Sequence, residues 1–152
     1  MSEIRPAFAS DAPRMREIAK AAYAIYVAEM GKEPAPMGAD YERHIREDRC
    51  FVAVNGAQIL GFVVILEEKG EWWLDNIAVA PDQQAKGIGR DLLLYAEAHV
   101  ANYTDSLSLY TNVVMRANAT WYRRMGYKDS HQAVCDGYHR YYFKKNLGIS
   151  SE

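Results

Sequence analysis

Between Val79 and Arg90 the chain reads Val-Ala-Pro-Asp-Gln-Gln-Ala-Lys-Gly-Ile-Gly-Arg, where an apolar strand ends, a loop turns and a helix begins at the glycines. A helix start leaves about four backbone N–H groups without intrahelical partners, and the helix dipole adds roughly half a positive charge there. Such a terminus attracts an anion. Gly87 and Gly89 remove the Cβ atoms that would hold a diphosphate off the backbone, and Lys86 and Arg90 bring charge from the sides. The candidate cradle is therefore Gln84, Ala85, Lys86, Gly87, Ile88, Gly89 and Arg90. No Gly-Lys-Ser/Thr closes the loop as in nucleoside-triphosphate sites, and the third glycine of a dinucleotide fingerprint is missing. For the glycines alone, a helix-capping loop without a ligand is the plain alternative.

The elements that must hold this loop follow from periodicity. Residues 2–8 read as a first strand, and Ser10 and Asp11 are candidate N-caps for a helix running to Met30, with Met15, Ile18, Ala22, Ile25 and Tyr26 on its buried face. Gly31 stops it, and GKEPAPMGAD forms an irregular loop before a short helix near Tyr41–Glu47. Strands at 50–55 and 59–66 flank Asn55-Gly56, a hairpin signal because both residues tolerate positive φ. A third strand follows Lys69-Gly70 and runs to Pro81, which makes the region an antiparallel meander. From Gly87 the period becomes helical, with Ile88, Leu92, Tyr95, Ala96 and His99 or Val100 on one face. Leu107–Thr111 alternates as a strand, Asn118–Met125 reads as a helix, and strands around 127–134 and 138–144 close the chain. The order β-α-α-β-β-β-α-β-α-β-β predicts an α/β (α+β) fold, a mostly antiparallel twisted mixed sheet flanked by helices.

Composition narrows the function classes. The 152 residues fit one domain, 1–152, and 49% apolar with 25% charged residues is an ordinary globular balance. A net charge of −2 gives no general attraction to nucleic acid or to an anionic membrane, so neither is expected as a partner. No run approaches the ~18 apolar residues of a membrane span. Cys50 and Cys135 lie far apart, without metal or redox spacing, and no metal is expected. The N-terminus carries an acidic residue at position 3 and lacks the apolar stretch of a secretory signal, so the expected location is cytoplasmic.

The context of the glycine loop carries a resemblance. Gln84-x-x-Gly87-x-Gly89 after a strand ending Val79-x-Pro81 resembles the coenzyme A loop of the GNAT N-acetyltransferases. Asn118-Ala119-Thr120-Trp121-Tyr122-Arg123-Arg124-Met125-Gly126-Tyr127 resembles the second motif of that superfamily, a helix carrying Asn and Tyr and ending at Gly plus an aromatic residue. The likeness spans most of residues 50–145 and includes strand order; the first fifty residues match loosely. It implies a GNAT-like fold and acetyl-coenzyme A as acetyl donor. It also implies an amine acceptor, small molecule or peptide, that attacks the thioester directly in a ternary complex. Family members often dimerise, which makes a homodimer a candidate assembly. A non-catalytic acyl-coenzyme A sensor or interaction module is the alternative, motivated by the absence of an obvious base.

Site residues are implied by the same resemblance. Ile77 and Val79 match the strand positions whose backbone N–H groups bind the thioester oxygen and the pantetheine arm. Tyr122 matches the tyrosine that donates a proton to the departing sulfur, a reasonable donor because a phenol near pKa ~10 is protonated at neutral pH. Its other reading is a packed core tyrosine. Asn118 matches a residue that binds pantetheine, or it caps its helix. Strand alternation puts Trp73, Asp75, Ile77 and Val79 on one face, which makes Asp75 the first candidate for general base. A structural Asp is the alternative, and His139, Tyr110 and Glu71 remain candidates. Trp73 stands where some members carry a Glu or His. Tyr23, Tyr26, Met30, Met37, Tyr41 and the Tyr138–Tyr142 strand are read first as packing and second as an acceptor pocket.

Overall fold

A computed structural model of the chain describes residues 2–148. Seven strands form one open, mostly antiparallel sheet in the order β1-β2-β3-β4-β5-β7-β6. They are β1 (Glu3–Pro6), β2 (Cys50–Asn55), β3 (Gln58–Glu68), β4 (Glu71–Val79), β5 (Ser106–Asn112), β6 (Lys128–Cys135) and β7 (Tyr138–Asn146). The helices are α1 (Ala12–Tyr23), α2 (Val27–Met30), α3 (Tyr41–Arg46), α4 (Ile88–Val100) and α5 (Arg116–Arg124). The parallel pair, β4 with β5, joins Trp73 to Ser108 and Leu74 to Leu109 in the first half of β4. Among the described residues no helix is long and apolar enough to cross a membrane.

The chain packs as two compact units, one of residues up to Ile65 with Asn76–Ala96, the other of Leu66–Asp75 with Glu97 onward. In the first, Met15, Ile18, Tyr41, Val52, Phe62, Val64 and Leu92 are fully buried. Its two antiparallel ladders, β1 on β2 and β2 on β3, carry apolar residues at almost every position of β2 and β3. Gly61 sits at the tightest point. A Cβ there would lie 2.7 Å from the Ala78 carbonyl oxygen and 3.2 Å from both Val79 Cα and Leu92 Cδ1, so the last turn of β4 approaches β3 only because position 61 has no side chain.

Polar groups then fix the same stretch of β4. Asn76 is buried; its amide donates to the Tyr41 hydroxyl at 2.7 Å, while the Tyr23 hydroxyl lies 2.8 Å from Asn76 Oδ1 and 2.9 Å from the Ile77 carbonyl. Tyr41 in turn donates to the Pro36 carbonyl at 2.6 Å, which ties the loop before α3 to the strand. Buried polar atoms that are all paired order their surroundings, and unpairing one costs about 1–3 kcal/mol.

The second unit closes on Leu74, Leu107, Leu109, Tyr122, Tyr127 and Phe143. Its buried carboxylate, Glu97, accepts from the Tyr127 hydroxyl at 2.7 Å and from Lys145 Nζ at 3.1 Å to both oxygens. β7 lies between β5 and β6, pairing antiparallel with each.

Four local expectations are corrected. The first helix does not run unbroken to Met30: a 3-10 turn at Ala24–Tyr26 separates α1 from α2, and Ile25 is 75% exposed. The tighter 3.0-residue period swings Ile25 outward, and Tyr23 points inward instead. Asp11 holds the N-cap position of α1, but its carboxylate accepts from the Phe8 N–H at 2.7 Å and from Arg5 at 2.8 Å, and Ser10 lies inside the preceding 3-10 turn. The first hairpin turns on Gly56-Ala57, since Gly56 alone takes a left-handed φ of 62° while Asn55 stays in the ladder opposite Gln58. Finally, α5 begins at Arg116 with Met115 as N-cap, so Asn118 lies in the first turn and does not cap it. Gly31 does end α2, in the left-handed conformation.

Gly61→Ala should lower stability by about 1–3 kcal/mol through overpacking against backbone that cannot yield cheaply. A urea-unfolding midpoint unchanged from the parent would contradict the close approach of Gly61 to Ala78 and Val79.

Candidate active site

In the first unit the site is built from the end of β4, the loop and the first turn of α4. Burial along β4 alternates strictly after Trp72, with Trp73, Asp75, Ile77 and Val79 half-buried and Leu74, Asn76 and Ala78 buried. The buried set anchors the strand, so the half-buried set keeps a fixed orientation. A 3-10 turn at Pro81–Gln83 leads off the strand, and Gln84 Nε2 donates back to the Val79 carbonyl at 3.3 Å. Ala85 and Gly87 then adopt left-handed φ of 65° and 82°. These reversals bring the chain round to α4, whose first residue, Ile88, is buried as an anchor while Gln84–Gly87 stay exposed.

The first backbone bond of α4 runs from the Asp91 N–H to the Gly87 carbonyl at 3.0 Å. The N–H groups of Ile88, Gly89 and Arg90 therefore precede the helical ladder. The acidic residue of this turn, Asp91, is engaged by the Ser2 N–H at 2.8 Å, which holds its carboxyl below the usual range. At Gly87 a Cβ would point into open space, with no atom within 4 Å. That space, over free amides at a helix start, fits a phosphate group. Lys86 reaches Gln83 Oε1 at 3.3 Å and Arg90 is exposed.

In the second unit Tyr122 on α5 is buried, its ring against Trp121, Tyr127 and Phe143 at 5.1–6.2 Å between centroids. Among the described residues its hydroxyl has no hydrogen-bond partner. Burial pushes its pKa up, so the phenol stays protonated throughout the neutral range. Asn118, one turn earlier, points its amide to Met115 Sδ at 3.6 Å. Asp75 accepts from the Tyr110 hydroxyl at 3.2 Å; burial and that carboxylate together raise the Tyr110 pKa. The other base candidates are otherwise engaged: Glu71 accepts from Ser108 at 2.9 Å, and the ring of exposed His139 meets Gln132 at 2.9 Å.

The family model for the acetyltransferase (GNAT) domain matches residues 46–129, more than half of the chain. The chain belongs to the GNAT acetyltransferase family. A comparison with curated protein sequences finds no match. Among solved structures, the ribosomal-protein-S18-alanine N-acetyltransferase of Escherichia coli is similar with TM-score 0.77 at 20% identity, over 100% of this chain and 97% of that one. The PaiA N-acetyltransferase of Thermoplasma acidophilum, in complex with coenzyme A, is similar with TM-score 0.76 at 18% identity, over 96% and 99%. N-acetylglutamate synthase of Neisseria gonorrhoeae, complexed with coenzyme A and N-acetyl-glutamate, gives TM-score 0.76 at 14% identity over 98% of this chain and 36% of the longer one. At these identities the likeness is one of fold.

As a GNAT acetyltransferase the chain has acyl transfer from a coenzyme A donor as its general chemistry. Two groups near the candidate residues lay outside the sequence reading. Arg140 sits over the Tyr110 ring, 4.1 Å from guanidinium carbon to centroid; a basic residue at an alternating position of β7 was the only signal. Asn76 was betrayed by its polarity on the buried side of β4, between Leu74 and Ala78.

Because no protein atom occupies the space at Gly87, Gly87→Ala should cost stability only the ~1 kcal/mol of left-handed strain while weakening coenzyme A binding by about 10-fold or more. Calorimetric titration with coenzyme A beside a melting curve separates the two effects; unaltered affinity would remove the loop from the site.

Proposed function

We propose that the chain transfers the acetyl group of acetyl-coenzyme A to a primary amine by direct attack within a ternary complex. The observation that carries this reading is Tyr122: its ring is buried, its phenol stays protonated, and its hydroxyl has no hydrogen-bond partner on the protein among the described residues. That hydroxyl is not fully enclosed, so it is open to a ligand that accepts its hydrogen bond. The names of two similar structures, both N-acetyltransferases and one in complex with coenzyme A, support an amine acceptor and this donor.

Acetyl-coenzyme A brings the activated thioester; the chain's residues bind, orient and move protons. The amides of Gln84 to Arg90 hold the diphosphate. Beyond the Trp73 and Leu74 pairings, the backbone N–H groups of Ile77 and Val79 serve the thioester oxygen and the pantetheine arm, and the Asn118 amide adds a contact to that arm. Asp75 takes the ammonium proton, directly or through water, with the Tyr110 hydroxyl orienting its carboxylate. Tyr122 donates to the departing sulfur. Its raised pKa makes it a weaker acid than a thiol near ~8.5, so it acts chiefly as a hydrogen-bond donor that stabilises the thiolate. No group of three or more His, Cys, Asp or Glu among the described residues is arranged to hold a metal ion.

Tyr122→Phe should reduce kcat by about 100-fold, the usual weight of one hydrogen-bond donor to charge developing in the transition state, with the coenzyme A Kd unchanged. Turnover equal to the parent would remove Tyr122 from the chemistry, whereas no turnover by the parent itself on a broad amine panel would favour a sensor role for the fold. Asp75→Asn should lower kcat/KM by a similar factor; full retention assigns proton removal to another group.

A further inference from the structure

One face of the second unit carries the residues that share a side with Trp73. In register, Trp73 pairs with Ser108 and Tyr110 with Tyr142. Their rings meet: Trp73 to Tyr110 at 6.3 Å, Trp73 to Tyr142 at 6.1 Å and Tyr110 to Tyr142 at 5.7 Å. All three are only half-buried, and one face of the Tyr142 ring is covered by the His131 ring, stacked on it at 4.4 Å.

Two opposite charges border the ring of Tyr110. Asp75 receives its hydroxyl at 3.2 Å, and the Arg140 guanidinium lies over its face at 4.1 Å, with the Tyr138 ring at 5.3 Å. Arg5, Arg14, Arg16, Arg43, Arg49 and Arg123 each pair with a carboxylate, whereas Arg140, like Arg46, Arg90 and Arg124, forms no ion pair among the described residues; Arg140 combines that with a ring beneath it. A guanidinium over an aromatic ring spends none of its N–H groups on that contact, and those groups match a carboxylate two bonds at a time. The rings on its face strip water from it, which strengthens attraction to an incoming anion.

We propose that the acceptor is an amine that also bears a carboxylate, with the amine directed to Asp75, the carboxylate held by Arg140 and an apolar side group on Trp73 and Tyr142. The assignment rests on the transferase reading given above and names the substrate class for it. Both charges flank a single ring, so the amine and acid of the acceptor lie a few bonds apart, as in an amino acid. A polyamine would bring a second cation against Arg140. A lysine side chain within a protein, or a peptide N-terminus, would leave the guanidinium unanswered.

The test compares, with acetyl-coenzyme A as donor, a panel of apolar and aromatic amino acids with their amides and their decarboxylated amines. The wild type should prefer the acids by about 30-fold or more in kcat/KM, the scale of one desolvated charge pair. Arg140→Gln should collapse that ratio, and Arg140→Lys should restore part of it. Amides or simple amines turned over as well as the acids would overturn the assignment while leaving the transferase standing. If no amine releases thiol, the transferase reading fails, and calorimetry with N-acetyl amino acids decides the ligand class alone. Binding that Arg140→Gln abolishes sustains it, and absence of binding ends it.

Discussion

Backbone N–H groups that open α4 precede the first bond of their own helix, and the chain spends much of its architecture keeping them available and correctly aimed. The strand that delivers the loop is held from one side by the absence of a side chain at Gly61 and from the other by the hydroxyls of Tyr23 and Tyr41. Buried Ile88 pins the helix start, and Gln84 returns a hydrogen bond to the strand it left. Unpaired amides cost little while exposed to water. Amides of this kind bind anions well in general, and here two left-handed residues, Ala85 and Gly87, shape the turn that leads into them.

A second economy lies in β4 itself. Its buried residues belong to the core, its half-buried residues line the opposite side, and strict alternation keeps the two sets apart. Asp75 can therefore be oriented by Tyr110 without being withdrawn from solvent. Tyr122 shows the complementary arrangement. Packed among Trp121, Tyr127 and Phe143, its ring is fixed by shape while its hydroxyl has no hydrogen-bond partner among the described residues.

Much of this was legible in the sequence because it is local. The element order, the loop and the α4 period all follow from residues near one another in the chain, and the family followed from two motifs in order. The misreadings are equally instructive. Ile25 fits a helical stripe, yet a 3-10 turn only three residues long rotated it to the surface. Asn55 and Asn118 were judged by residue type, whereas the turn and the cap each fell on a neighbour. The neighbourhood of Tyr110 lay out of reach for a different reason. β7 inserts between β5 and β6, so Tyr142 and Arg140 come beside Tyr110 through a pairing more than twenty residues distant that no periodicity reports.

The hydrogen atom at position 61 carries a consequence for substitution. Any larger residue there collides with the Ala78 carbonyl oxygen before it meets the Leu92 side chain, and trimming Leu92 cannot relieve a clash with backbone. A larger residue at position 61 is therefore admissible only if β3 and the end of β4 move apart together, which couples a single substitution to the spacing of two strands.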